Sequence, residues 1–159
     1  MRRWLPPALA VLALVATALA GDLRIGEMLR WYLSLRRPPW QPPDPLIPIV
    51  WGAIYALIAW AVLRAWRAAG SEGARDHIVA ATTVNLFLNA LWALLFFVHR
   101  RPDWALVEVA ALLASILWMI AALGRQDRVA GWLLVPYLAW VGFAAVLNYA
   151  LVRLNAPFP

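Results

Sequence analysis

The sequence predicts an all-α membrane protein, a five-transmembrane-helix bundle with a long, partly helical first loop. Three observations carry that expectation. Hydrophobic residues make up 65% of the chain and charged residues 14%, with a mean hydropathy of +0.72; a soluble domain of this size could not bury so much apolar surface. Five apolar runs, 5–20, 46–66, 78–98, 104–123 and 129–152, approach the roughly 20 residues needed to cross a hydrocarbon core of about 30 Å. The links after the second, third and fourth runs are short and polar, so consecutive helices should pack as antiparallel neighbours in one domain covering 1–159.

The first run follows Arg2 and Arg3 and ends in Ala18-Leu19-Ala20 before Gly21, a pattern shared with cleaved signal peptides. Pro6 and Pro7 instead suit the first turn of a continuing helix, and the run exceeds the roughly 7–15 residues of a signal-peptide core. A retained first span is therefore expected, with four spans as the alternative.

The connection over 21–45 is long for a compact bundle, and such loops usually carry function. Within it Ile25–Leu35 is expected to form a short interfacial helix exposing Met28, Leu29, Trp31 and Tyr32. From Arg37 to Trp51 the chain packs six of its twelve prolines beside Trp40 and Trp51. Each proline fixes its own φ, removes a backbone donor and pushes the preceding residue toward extended geometry, so this stretch is expected to be an ordered or extended loop rather than regular helix. Tryptophans in so stiff a loop should have something to pack against.

Charge restricts function more than it orients the chain. All fourteen basic residues are arginine, for a net charge of +6, but they lie between apolar runs rather than in a basic stripe, so nucleic acid is not an expected partner. Divided between the two sides of the bundle the arginines tie, and the positive-inside rule assigns no topology. The Ala, Arg, Leu and Trp bias without lysine points to a GC-rich bacterial genome. Trp4, Trp66, Trp104 and Trp132 fall near span ends, where an interfacial belt explains them. Trp51, Trp60, Trp92, Trp118 and Trp140 lie deeper and need another account.

Polar side chains within spans are costly in lipid and should face the bundle interior. Asn85 and Asn89 stack on one face of the third span, continued by Trp92 and Phe96; Trp51 and Tyr55 share a face of the second, and Tyr137, Trp140, Ala144 and Asn148 a face of the fifth. Apolar walls with a few placed hydrogen-bonding groups describe a pocket for a flat hydrophobic ligand. They equally describe asparagines bonding across helices to hold the bundle together; the spacing leaves both readings open.

Enzymatic chemistry finds little support. Ser34, Ser71 and Ser115 have no acid or histidine at a suggestive spacing, there is no cysteine, and no paired carboxylate, phosphate loop or metal cluster occurs. His77 and His99 end the third span roughly 33 Å apart and cannot share one metal or haem iron. Glu108 lies about one turn inside the fourth span, where snorkelling or a partner such as Arg101 is the expected explanation.

Trp31-Tyr32, Leu35-x-Arg37-Pro38-x-Trp40-x-Pro42-Pro43, Pro48-x-x-Trp51-x-x-x-Tyr55, Asn85-x-x-x-Asn89-x-x-Trp92-x-x-x-Phe96-Phe97 and Pro136-Tyr137-Leu138-x-Trp140 with Leu147-Asn148 follow one another in order along nearly the whole chain. Together they resemble the TspO/MBR family of tryptophan-rich sensory proteins and peripheral-type benzodiazepine receptors. The resemblance implies a five-helix membrane bundle, a homodimer, and binding of porphyrins such as protoporphyrin IX, sterols and benzodiazepine-type ligands, without a required cofactor. It implies a pocket beneath the first loop, which serves as lid, built by Tyr32, Trp40, Pro42, Trp51, Asn85, Asn89 and Trp140; Tyr55 and Ala144 join them from the shared faces. Arg37 stands where the family usually has lysine and Ile47 where an aromatic is frequent. Leu147, Tyr149 and Arg153 fit a permissive sterol pattern that an ordinary helix end also explains. Small pairs such as Ala16/Ala20 and Ala110/Ala114 permit close helix approach, but an alanine-rich chain produces them by chance, so the dimer rests on resemblance. Three function classes follow: a tetrapyrrole-binding sensor or transporter, a light-dependent porphyrin-degrading enzyme, and a structural or partner-regulating membrane protein.

Overall fold

The computed structural model describes residues 22–158. Every regular element among them is helical: α1 (Asp22–Ser34), α2 (Leu46–Ala68), α3 (Glu72–Ala93) continued by one π-helical turn (Leu94–Val98), α4 (Pro102–Gly124), α5 (Arg128–Leu133) and α6 (Val135–Asn155). Four stretches are long and apolar enough to cross a membrane, Leu46–Ala68, Glu72–Val98, Pro102–Gly124 and Arg128–Asn155. The expected first span, 5–20, lies outside the described residues.

α4 is the central helix. Val109, Leu112, Ile116, Met119 and Leu123 are buried along it, against Ile54, Ile58, Ala61 and Ala65 of α2, Ile78 and Ala81 of α3, and Tyr137 and Val141 of α6, while Ala105 near its start packs with Phe96 and Leu151. The large apolar side chains left exposed, among them Trp60, Phe87, Val107, Leu117, Trp118 and Val146, face outward, where lipid is their natural solvent. This accounts for two of the deep tryptophans, Trp60 and Trp118, without a pocket.

Two boundaries depart from the sequence expectation. The third span starts at Glu72 rather than Ile78, because the Ser71 hydroxyl accepts from the Ala74 N–H and caps a polar first turn. The fifth span is not one helix over 129–152 but two, broken at Leu134, with Pro136 in the first turn of α6. Proline supplies no N–H to continue the preceding helix, so the ladder restarts there. At this break α5 comes against α4 so closely that a Cβ on Gly131 would lie 3.1 Å from the Gly124 Cα and 3.3 Å from the Ile120 carbonyl oxygen. Asp127 caps α5, accepting from the Val129 and Ala130 N–H groups, and pairs with Arg64 of α2 at 2.7 Å.

The first connection is ordered by its own bonds. α1 is helical as expected and leaves Leu29 and Leu33 exposed, but Trp31 and Tyr32 are not presented outward. They pack inward on Phe96, with ring centroids 5.9 and 6.3 Å away. The π turn is the reason, because its extra residue per turn brings adjacent Phe96 and Phe97 onto the face that α1 covers. Of the Arg37–Trp51 run expected to be loop, residues 37–45 form no helix, but Leu46–Trp51 open α2, with Pro48 in its first turn, where no intrahelical N–H is needed. The loop is held by Arg37 on Asp44 (2.8 Å), by Gln41 donating to the Tyr32 hydroxyl and to Asp44, and by Asn155, whose amide spans the Arg36 N–H and C=O at 2.8 and 2.9 Å.

Candidate functional site

Below this loop, four helices contribute one hydrogen-bonded layer. Asn85 of α3 donates to the Ser115 hydroxyl of α4 at 3.0 Å, and Ser115 donates to the Leu112 carbonyl at 2.7 Å. Tyr137 of α6 donates to the Asn85 oxygen at 3.2 Å and accepts from the Asn89 amide at 3.1 Å. Tyr55 of α2 donates to the Asn89 oxygen at 3.0 Å. The 3.6-residue period places Asn85 and Asn89 on one face, and each amide has both ends engaged across helices. Asn85 and Tyr137 are fully buried, where an unmatched polar group would cost about 1–3 kcal/mol. Asn148 is buried one helix end away; with its amide oriented to satisfy both neighbours, it donates to the Pro102 carbonyl at 3.0 Å and accepts from the Leu106 N–H at 3.2 Å.

Aromatic rings pack at the level between this layer and the loop. Trp51 stacks on Tyr55 (5.6 Å) and meets Tyr137 edge-on (6.3 Å). Trp92 stacks on Phe96 at 5.0 Å, and Phe96 in turn carries Trp31 and Tyr32. On the opposite flank Trp140 lies 5.7 Å from Phe143, which takes the edge of Trp40 from the loop at 5.9 Å. Two aromatic braces, Trp92-Phe96-Tyr32 and Trp140-Phe143-Trp40, thus tie the loop to α3 and α6. Burial pushes the Tyr32 phenol above its usual pKa; Asp44 adds to this, while Arg37 and the bond from Gln41 oppose it. The hydrogen bond to Asp44 raises the Arg37 guanidinium above its usual value.

The residues singled out by sequence fall as follows. Tyr32 and Pro42 are partly buried, and Trp40 is half exposed while its edge meets Phe143. Trp51, Asn89, Trp140 and Ala144 are partly buried in the bundle, Asn85 is fully buried, and Tyr55 keeps an exposed ring edge. In the sterol pattern Leu147 packs inward beside Phe96 and Leu151, whereas Tyr149 and Arg153 face outward. A groove of about 260 Å³ along Ile120, Gly124, Gly131, Trp132 and Val135 lies at the opposite end of the bundle.

Several participants were not found from sequence. The sequence presents Ser115 only as a possible nucleophile; its place one turn from Leu112 on the buried face of α4 is the signal for a cross-helix partner. Gln41, Phe143 and Asn155 carried no signal, since their roles depend on the loop's path. The expected Arg101 partner for Glu108 is overturned: Arg101 makes a two-pronged pair with Asp103, and neither Glu108 oxygen has a hydrogen-bond partner.

The model of the TspO/MBR family matches residues 8–154. The chain belongs to the TspO/MBR family. A relative named translocator protein, from Homo sapiens, is 34% identical over 131 residues, covering 82% of this chain and 78% of its own. The tryptophan-rich protein TspO of Chlorobaculum tepidum is 32% identical over 149 residues, 93% of this chain and 94% of its own. The tryptophan-rich sensory protein of Cereibacter sphaeroides is 34% identical over 125 residues, 79% and 78% respectively. Family membership and four apolar helices together make this TspO/MBR protein an integral membrane protein. The polar layer and the braced loop are how it builds the interior of that fold.

Proposed function

We propose that this protein is a membrane receptor or transporter for flat hydrophobic ligands, porphyrins such as protoporphyrin IX foremost, with a sensory role in tetrapyrrole homeostasis. The observation that carries the reading is the convergence of Trp51, Asn89, Trp92 and Trp140 between a hydrogen-bonded floor and a loop held by two aromatic braces. Rings stack on a planar ligand, and the closed polar layer gives them a rigid floor. The names of the relatives, translocator and sensory protein, agree with binding rather than with covalent catalysis. In this reading the loop over 21–45 is the lid, no resident cofactor is needed, and the homodimer and the sterol contacts at Leu147, Tyr149 and Arg153 belong to the same proposal. Titration of the protein in lipid nanodiscs with protoporphyrin IX is the test. Saturable quenching of tryptophan emission supports the proposal, and quenching that rises linearly, as in empty nanodiscs, refutes it.

A further inference from the structure

Above the closed polar layer, toward the loop, lies a second layer whose polar atoms are unmatched. Both Glu108 carboxylate oxygens and the indole N–H groups of Trp92 and Trp140 are shielded from solvent and bonded to nothing. Their depths follow from the bonds below them. Asn85 and Ser115 are joined directly, and Trp92 and Glu108 each lie seven residues nearer the loop on antiparallel α3 and α4. Seven residues are two helical turns, so both sit about 10 Å above that bond on the same faces. Trp140 lies one turn above Tyr137, which is itself tied to Asn85 and Asn89. Asn148, bonded to Pro102 and Leu106, sets the register of α6 against α4 and brings Ala144, a small side chain, about level with Glu108.

No positive charge among the described residues is paired with Glu108. On its own helix Arg101 is taken by Asp103. α6 brings Tyr137 within range of its charge, but that hydroxyl is committed to both asparagines. In the loop Arg37 is bonded to Asp44. A carboxyl group inside a membrane span with no partner is a standing cost of several kcal/mol, and two orphaned indole donors add to it.

We infer that Glu108, Trp92 and Trp140 form a polar-edge subsite that takes a hydrogen-bond donor, an ammonium group above all, onto Glu108 and acceptors onto the two indoles. This deepens the flat-ligand reading and rests on it. A carboxylate on the inward edge of a ligand would meet Glu108 as a like charge in a water-poor site and is rejected. A ring that carries carboxylates on one side therefore enters with the other side first and leaves its acids toward the loop.

Three pyrenes that differ only in their polar group, pyrenemethylammonium, pyrenemethanol and pyrenecarboxylate, test the subsite by tryptophan quenching in phosphatidylcholine nanodiscs, corrected against empty discs. The ammonium is expected to bind about ten-fold or more tighter than the alcohol, the size of one charge-assisted hydrogen bond, with the carboxylate weakest. Glu108→Gln should bring the ammonium down to the alcohol, with an unchanged helical circular-dichroism spectrum and thermal midpoint reporting the intact fold. Glu108→Lys should invert the order so that the carboxylate binds best. Equal affinities in the unaltered protein, or an ammonium preference that survives Glu108→Gln, would overturn the subsite. If protoporphyrin IX binds and no pyrene does, the subsite falls alone; if neither binds, the flat-ligand reading falls with it.

Discussion

Replacing Tyr137 with phenylalanine removes a single oxygen from the centre of the bundle, and its consequence can be worked from the bonds. The hydroxyl donates to Asn85 and accepts from Asn89, at 3.2 and 3.1 Å. Phenylalanine keeps the ring, which still meets Trp51, so packing is unchanged to first order. Asn85 keeps its bond to Ser115 and Asn89 its bond from Tyr55, so each amide is left with one end unmatched. Cross-helix bonds in membranes are worth roughly 0.6–2 kcal/mol each, so the loss should be about 1–4 kcal/mol. For a chain of this size each kcal/mol moves the midpoint by about 2–4 °C. Thermal unfolding in detergent should therefore show Tm lower by about 5–10 °C at the middle of that range. Tyr55→Phe removes one bond at a partly exposed ring and should cost less than half as much. A Tyr137→Phe protein that unfolds within about 1 °C of the parent would refute the claim that this layer holds the four helices together.

Gly131→Ala should destabilise by about 1–3 kcal/mol, since the new methyl group meets backbone of α4 that cannot rotate away; the same melting experiment reads it, and no change would mean that α5 can shift freely. Asp127 is held below its usual carboxylate pKa: burial pushes it up, but the Ala130 N–H, Arg64 and the Val129 N–H together outweigh that. A carboxyl lowered on folding stabilises above its unfolded pKa of about 4 and loses that contribution as pH falls through the lower folded value. Asp127→Asn should flatten this acid limb of stability measured between about pH 6 and pH 2, and an unchanged limb would remove Asp127 as its source. Asn155→Ala releases both backbone groups of Arg36, so limited proteolysis within 36–45 should speed up several-fold; an unchanged cleavage rate would show that the prolines alone hold the loop.

The sequence made the lipid-spanning helices legible where apolar runs stop at charges. α2 and α4 match their expected limits within two residues, because Pro45 and Arg67, and Pro102 and Arg125, mark changes in hydropathy that a membrane enforces. The start of α3 escaped because a capped polar turn extends a helix beyond its apolar run. The break at Leu134 escaped although Pro136 announced it, since hydropathy runs through the proline without interruption. Of the site, periodicity showed which residues share a helix face, Asn85 with Asn89 and Trp51 with Tyr55. It left open which faces meet, and so which polar group satisfies which. The structure gives Asn85 and Asn89 cross-helix partners, and it leaves Glu108 without the partner expected for it. The inward turn of Trp31 and Tyr32 had no local signal, because a π turn some sixty residues later creates the surface that receives them.

The claim that a flat ligand lies between the polar layer and the loop is tested most directly by comparing three tryptophans in one titration. Trp51→Phe and Trp140→Phe replace indoles inside the proposed pocket with smaller rings, whereas Trp118→Phe does so on the lipid-facing surface. Protoporphyrin IX should bind the first two about two- to five-fold more weakly than the parent, as expected for a reduced stacking face, with affinity for the Trp118→Phe protein unchanged. Affinities equal in all four proteins, or weakened only by Trp118→Phe, would place the porphyrin on the lipid-facing surface and contradict the account.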